Sequence, residues 1–174
     1  MKLKSITLAL AALCLSSMAF AQNPNTHEEG PRAQTIYFEV LGPGITYSVN
    51  YDTRFQNTRN GFGGRIGVSY LNIDDEGVFT LPVGLNYLLG KNKHYFEMGV
   101  GATYYNVSWD EQNDPNNELL FIEGNRSSMV GNLTFGYRLQ PVDGGFNFRA
   151  GFTPTFGKGF FMPYFPHLSL GYTF

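Results

Sequence analysis

The chain has 174 residues, a formal net charge of −2, a single cysteine, and a high content of Phe (16), Tyr (11) and Gly (21). A chain with this small net negative charge lacks the excess of basic residues that binds nucleic acid, so we predict no nucleic-acid partner. Apart from the first residues, no apolar run approaches the roughly 20 residues that a spanning helix needs, which excludes a helical membrane protein.

The first residues combine a basic start, a short apolar run and an Ala-x-Ala site, which together predict a secretory signal peptide over residues 1–21. Cleavage after Ala21 removes Cys14, so we expect no disulfide and no cysteine metal site in the processed chain. Acylation of Cys14 is disfavoured because Leu13 stands where such sites need a small residue.

Residues 22–33 are polar and contain two prolines, which predicts a flexible lead before a single domain over residues 34–174. Within that domain, apolar and polar residues alternate with a period of two, and helical periodicity is absent. Turn clusters divide the pattern into eight segments. The predicted strands cover residues 34–41, 45–55, 62–72, 78–89, 94–109, 127–140, 146–156 and 167–174.

Three local features qualify this pattern. Pro82 cannot donate to a β-ladder, so we predict a bulge or break inside the fourth strand. The Gly-Pro-Gly sequence at residues 42–44 predicts a short turn, and residues 157–165 predict a loop.

Each predicted strand has one apolar face, as the last strand shows with Leu168 and Leu170 on one side and Ser169 on the other. A soluble β-sandwich would bury this face, whereas a membrane barrel would turn it toward lipid. Most strands exceed the usual five or six residues, and short and long connections alternate, with residues 110–126 the longest. We therefore predict an all-β, eight-stranded, antiparallel up-and-down transmembrane barrel with short periplasmic turns and longer outer loops.

Two further features favour the barrel. The less apolar faces are rich in Gly, Ser, Thr and Asn, which suit the crowded interior of an eight-stranded barrel. Outward-facing aromatic residues recur beside the predicted periplasmic turns and predict a girdle. They are Phe55, Phe62, Tyr87, Phe96, Tyr137, Phe146 and Phe174.

The signal peptide, the eight alternating strands and the terminal LSLGYTF sequence resemble the small outer-membrane barrels of Gram-negative bacteria, the OmpA-like and OmpX-like group. The resemblance implies an integral outer-membrane protein of the cell envelope that contacts lipid. It also implies that periplasmic chaperones escort the chain and that the assembly machinery reads Leu170, Tyr172 and Phe174. The very short connection at residues 42–44 departs from relatives with a longer first loop and weakens a loop-based adhesion role.

Seven charged residues occupy predicted lumen positions, where unpaired charges would be costly, so we expect them to pair. This predicts a salt-bridged plug rather than a large porin-like pore, with a proton or small-ion path as the alternative. They are Glu39, Asp52, Arg54, Arg65, Glu97, Arg138 and Arg149.

Two further sequence patterns suggest catalysis or metal binding. His167 and Ser169 resemble part of the His-x-Ser-Asn pattern of lipid A deacylases, but Leu170 replaces the Asn and the predicted face is the lumen, so we predict no catalytic residues. Residues 110–126 contain several acidic side chains without EF-hand spacing, so a solvated loop is favoured over a metal site, and no cofactor is predicted.

Apolar residues in the outer loops predict either a surface for an extracellular partner or segments that fold over the barrel mouth. They are Phe121, Ile122, Phe160, Phe161 and Tyr164. The sequence therefore predicts a monomeric, non-catalytic barrel that serves envelope structure or surface interaction. The alternatives are a narrow channel or carrier for a small hydrophobic or ionic solute and, less favoured, a lipid A-modifying enzyme.

Overall fold

The structure, a computed structural model, describes residues 30–73, 76–108 and 127–174. The predicted signal peptide, most of the predicted lead, and Phe121 and Ile122 lie outside these residues. The described strands are β1 (Gln34–Leu41), β2 (Tyr47–Arg54), β3 (Gly61–Ile73), β4 (Glu76–Lys91), β5 (His94–Ser108), β6 (Ser127–Leu139), β7 (Gly145–Phe152), β8 (Thr155–Gly157), β9 (Phe160–Met162) and β10 (Pro166–Thr173). No helix in the described part of the chain is long and apolar enough to cross a membrane.

Eight of these strands close into an antiparallel ring. Each pairs with its sequence neighbour from β1 to β7, and β10 joins β7 to β1. The small strands β8 and β9 form a hairpin that pairs with the outer part of β6. The closed eight-stranded up-and-down architecture predicted from the sequence is thereby confirmed, and closure leaves no edge strand in the ring.

The period-two pattern sorts side chains between the exterior and the lumen. On β1, Ile36, Phe38 and Val40 are 52%, 46% and 44% exposed, whereas Tyr37 and Glu39 between them are each 1% exposed. The other strands repeat this arrangement, so the exterior is apolar and the interior is polar. This is the reverse of a soluble domain and the arrangement of a barrel that faces lipid.

The connection after β1 differs from the predicted turn. Gly42–Gly44 forms a 3-10 turn that folds into the lumen, and all three residues are buried. We call residues 41–46 the strap. The second strand consequently begins at Tyr47 rather than at residue 45. Ile45, predicted to face outward, packs instead against a buried apolar cluster at the outer end of the interior, formed by Val78, Tyr105, Val107 and Val130.

The irregularity predicted at Pro82 and one that was not predicted, at Pro154, are both seen in the ladders. β4 runs continuously through Pro82, and its register with β3 is the same before and after this point, so the predicted bulge is wrong. Only the ladder to β3 lapses there, as expected where no N–H can donate. The predicted seventh strand is instead interrupted at Thr153 and Pro154, and the loop predicted at residues 157–165 contains β9.

Candidate functional site in the barrel interior

Asp52 is the centre of the polar interior. Its Oδ1 lies 2.7 Å from Arg54 Nη2 and 2.9 Å from Arg138 Nη2, and its Oδ2 lies 3.7 Å from Arg149 Nη1. Asn86 Nδ2 donates to the same Oδ2 at 2.5 Å. One fully buried carboxylate therefore faces three guanidinium groups, which compensates its charge in a region shielded from solvent.

Glu97 forms the second acidic point of the network. Its Oε1 lies 3.4 Å from Arg149 Nη1, and its Oε2 lies 3.8 Å from Arg138 Nη1. Asn86 Nδ2 also donates to Glu97 Oε1 at 2.9 Å, so this amide bridges Glu97 and Asp52. The structure thus brings five of the seven predicted charged residues into one connected cluster.

The remaining predicted charges, Arg65 and Glu39, are buried outside these ion pairs. Arg65 Nη2 donates to Thr134 Oγ1 at 3.1 Å. Glu39 Oε1 has no hydrogen-bond partner among the described residues.

Sequence reasoning missed two members of the network. Asn86 bridges the carboxylates, and the ring of Tyr37 stacks under Arg149, whose Cζ lies 3.8 Å from the ring centroid. Such a contact between a cation and an aromatic face is favourable, more so when it is desolvated. Both residues occupy inward positions of the alternation, but periodicity alone does not show which side chains meet across the lumen.

The turn before β3 covers the interior at the end of the barrel opposite the strap. Arg59 in this turn is 4% exposed, and its carbonyl oxygen accepts a hydrogen bond from Gln140 Nε2 at 2.6 Å. Ala33 is buried, and its N–H donates to the carbonyl of Thr58. Ala33, the last residue of the predicted lead, therefore contacts the turn before β3.

At the outer end, the strap lies across the lumen. Thr103 Oγ1 donates to the Pro43 carbonyl at 2.6 Å, and Thr80 Oγ1 donates to the Gly44 carbonyl at 3.2 Å. A narrow, apolar crevice of about 10 Å³ separates the strap from the β8–β9 hairpin. This volume holds at most about one water molecule, so no larger solute fits in this crevice in this conformation.

His167 and Ser169, the partial hydrolase pattern, face the interior at 6% and 1% exposure. His167 Nδ1 lies 3.0 Å from Thr153 Oγ1. Ser169 Oγ has no hydrogen-bond partner in the described part of the chain. The His–Ser hydrogen bond that activates a nucleophile is therefore missing between these two described residues.

The apolar outer residues divide into two groups. Phe161 and Tyr164 on the last outer connection are 66% and 79% exposed. Phe160 instead packs against the buried apolar cluster and lines the crevice. Of the three described residues predicted for this surface, Phe161 and Tyr164 are therefore exposed and Phe160 is partly buried.

Leu170 and Tyr172, predicted as part of the assembly signal, lie on the closing strand β10, and Phe174 directly follows it. Leu170, Tyr172 and Phe174 are exposed, while Thr173 between them is fully buried. In residues 30–73, 76–108 and 127–174, no three His, Cys, Asp or Glu side chains are grouped so as to hold a metal ion.

No known protein family and no curated protein matches the sequence. Two solved structures resemble the fold. The N-terminal β-barrel domain of Pseudomonas aeruginosa OprF has a TM-score of 0.54 at 10% identity, covering 84% of this chain and 98% of that domain. The Yersinia pestis outer membrane protein Ail in a phospholipid bilayer nanodisc has a TM-score of 0.47 at 14% identity, covering 84% and 100%. The architectural resemblance to outer-membrane barrels is confirmed, and at these identities it concerns the fold alone.

Proposed function

We propose that the chain is a non-catalytic integral outer-membrane barrel whose lumen is filled by side chains and which serves envelope structure or surface interaction. The proposal rests on the distribution of polar and apolar side chains, which is the inverse of that in a soluble protein. Apolar side chains such as Ile66 and Leu85 cover the exterior, and charged side chains meet inside. A soluble protein would expose this wide apolar surface to water at a high cost in free energy.

The interior supports a structural role over a pore. The cluster around Asp52 spans the lumen, and the strap lies across the outer end. Surface interaction would use the outer connections, where Phe161 and Tyr164 offer exposed aromatic groups to an extracellular partner or to lipid headgroups. We propose that the folded protein is a monomer, assembled by chaperones and the barrel assembly machinery.

Cell fractionation with gel analysis tests the membrane assignment. The protein is expected in the outer-membrane fraction and should migrate faster unheated than boiled, because a folded barrel is compact. A soluble periplasmic location with unchanged mobility would contradict the proposal.

The non-catalytic assignment has its own test. Lipid A from cells that carry Ser169→Ala is expected to have the same acyl chains as lipid A from wild-type cells, with Thr173→Val as the matched interior control. A change in acyl chains specific to Ser169→Ala would instead support a lipid-modifying enzyme.

A further inference from the structure

The strap is held inside the lumen by two threonine hydroxyl groups and by the packing of Ile45 against the buried apolar cluster. Its described side-chain hydrogen bonds come from Thr80 on β4 and Thr103 on β5, which donate to the Gly44 and Pro43 carbonyls. Within the strap, the Leu41 N–H donates to the Thr46 carbonyl, and Leu41 is also the register partner of His167 on β10. The strap is thus fastened to the opposite wall by two hydroxyl groups and one apolar side chain.

Both ends of the strap have an unfavourable backbone conformation. Leu41 has φ 62° and ψ −144°, and Ile45 has φ 73° and ψ −60°. Positive φ is uncommon for any residue except glycine, and for a bulky or β-branched side chain it is an outlier. Strain of this kind persists only where the surroundings impose it, and it concentrates in ligand clamps and switch regions. The strap therefore stores backbone strain at Leu41 and Ile45.

Polar groups without partners lie directly beneath the strap. A Cβ built on Gly42 would lie 3.2 Å from Glu39 Oε1 and 2.8 Å from His167 Cβ, so the strap covers both side chains. Glu39 and Ser169 are register partners on β1 and β10 and face the lumen together. Glu39 Oε1 and Ser169 Oγ are buried without hydrogen-bond partners among the described residues, which is costly unless a partner can reach them.

We propose that the strap is a gate and that Glu39 and Ser169 form, beneath it, an interior site for a small polar solute that enters from the outer end. The solute donates hydrogen bonds, because the carboxylate oxygen of Glu39 can only accept one when ionised. It is neutral, because the Glu39 carboxylate disfavours an anion and Arg149, the register partner of Ser169, disfavours a cation. The site is blind, because the ion pairs of Asp52 and Glu97 close the lumen below it. This role goes beyond the proposed structural function.

Thiol accessibility tests the gate directly. Ser169→Cys places a thiol beneath the strap, and Cys14, the natural cysteine, lies in the predicted signal peptide. The probe is methyl methanethiosulfonate, whose methylthio group forms a disulfide with the thiolate while methanesulfinate leaves. The reaction rate in vesicles is followed by mass spectrometry. In this background, Thr80→Val and Thr103→Val keep the side-chain shape but remove both donors, and together they should accelerate labelling at least ten-fold.

The matched control is Thr173→Val, which removes a buried hydroxyl at the opposite end of the interior. It should leave the labelling rate unchanged, and all variants must retain the gel mobility of a folded barrel. Equal labelling rates in the Thr80/Thr103 and control backgrounds would overturn the proposal. Amide hydrogen exchange gives a second measurement. The Leu41 and Ile45 amides should exchange faster than those of Glu39 and Ser169, and equally slow exchange at all four would also overturn it.

Discussion

Asp52 on β2 and Arg138 on β6 meet at 2.9 Å across the full width of the barrel. In the closed ring, three strands separate β2 from β6 in either direction, so the pair joins opposite walls. These walls share no backbone ladder, and only side chains connect them through the lumen. This ion pair therefore stabilises the closed barrel as a whole and not one pair of neighbouring strands.

Asp52→Asn removes the charge at the centre of the network while keeping the size of the side chain. We expect a loss of about 3–5 kcal/mol in the free energy of unfolding, because three buried guanidinium groups lose their shared carboxylate. Glu97→Gln should cost less, since its ion pairs are longer, at 3.4 and 3.8 Å. Urea unfolding in vesicles, followed by gel mobility, measures both.

Asp143→Asn is the matched control, because Asp143 is exposed in the turn between β6 and β7. Its effect should stay within about 0.5 kcal/mol, as for most surface substitutions. If Asp52→Asn is no more destabilising than this control, the network does not contribute to stability as argued.

The filled lumen predicts the electrical behaviour of the protein. In planar bilayers the wild-type barrel should show no stable single-channel steps, because the Asp52 cluster blocks the interior and the crevice at the outer end is only about 10 Å³. Conductance is measured for wild type, Glu97→Gln and Asp143→Asn. Stable steps in the wild type that vanish in Glu97→Gln but persist in Asp143→Asn would refute the plug and favour an ion path.

The eight strands of the closed barrel were predicted well because each strand alternates apolar outward and polar inward residues. This alternation can be read within each strand, without knowing its partners. The bounds of β1 are predicted at Gln34–Leu41 and found there. The same alternation places Glu97 and Arg138 inside. Periodicity states on which face a side chain lies, so it predicts which charged residues are inside but not which of them meet.

The parts that sequence reasoning missed depend on long-range contacts. Residues 42–44 have the composition of an ordinary turn, but hydroxyl groups on β4 and β5 hold them inside the lumen. Ile45 fits the outward alternation of β2, but the strap turns it toward the cluster around Val107. Asn86 is one of several inward amides, and its bridging position follows from where Asp52 and Glu97 meet.

Val100→Arg tests whether the exterior faces lipid. Val100 lies in the middle of β5 and is 54% exposed, so in water this substitution would be nearly neutral. In a bilayer, an arginine near the midplane should destabilise the barrel by about 2–4 kcal/mol. Val142→Arg in the turn before β7 is the control and should have little effect. Equal stability of the two variants in vesicles would contradict the membrane assignment.

Phe174→Ser should separate assembly in the cell from folding in vitro. The Phe174 N–H donates to the Gln34 carbonyl at 2.9 Å, and the Gln34 N–H donates to the Phe174 carbonyl at 3.2 Å. A serine retains both backbone bonds, and the lost side chain is half exposed on the exterior, so folding into vesicles should persist. If the assembly machinery reads this aromatic residue, the amount of protein in the outer membrane should fall several-fold.

The control is Tyr164→Ser, which removes an exposed aromatic from the outer connection and should leave the amount in the outer membrane unchanged. Equal outer-membrane amounts of the two variants would show that Phe174 is not part of the assembly signal, because both lose an exposed ring and only Phe174 lies at the end of the closing strand.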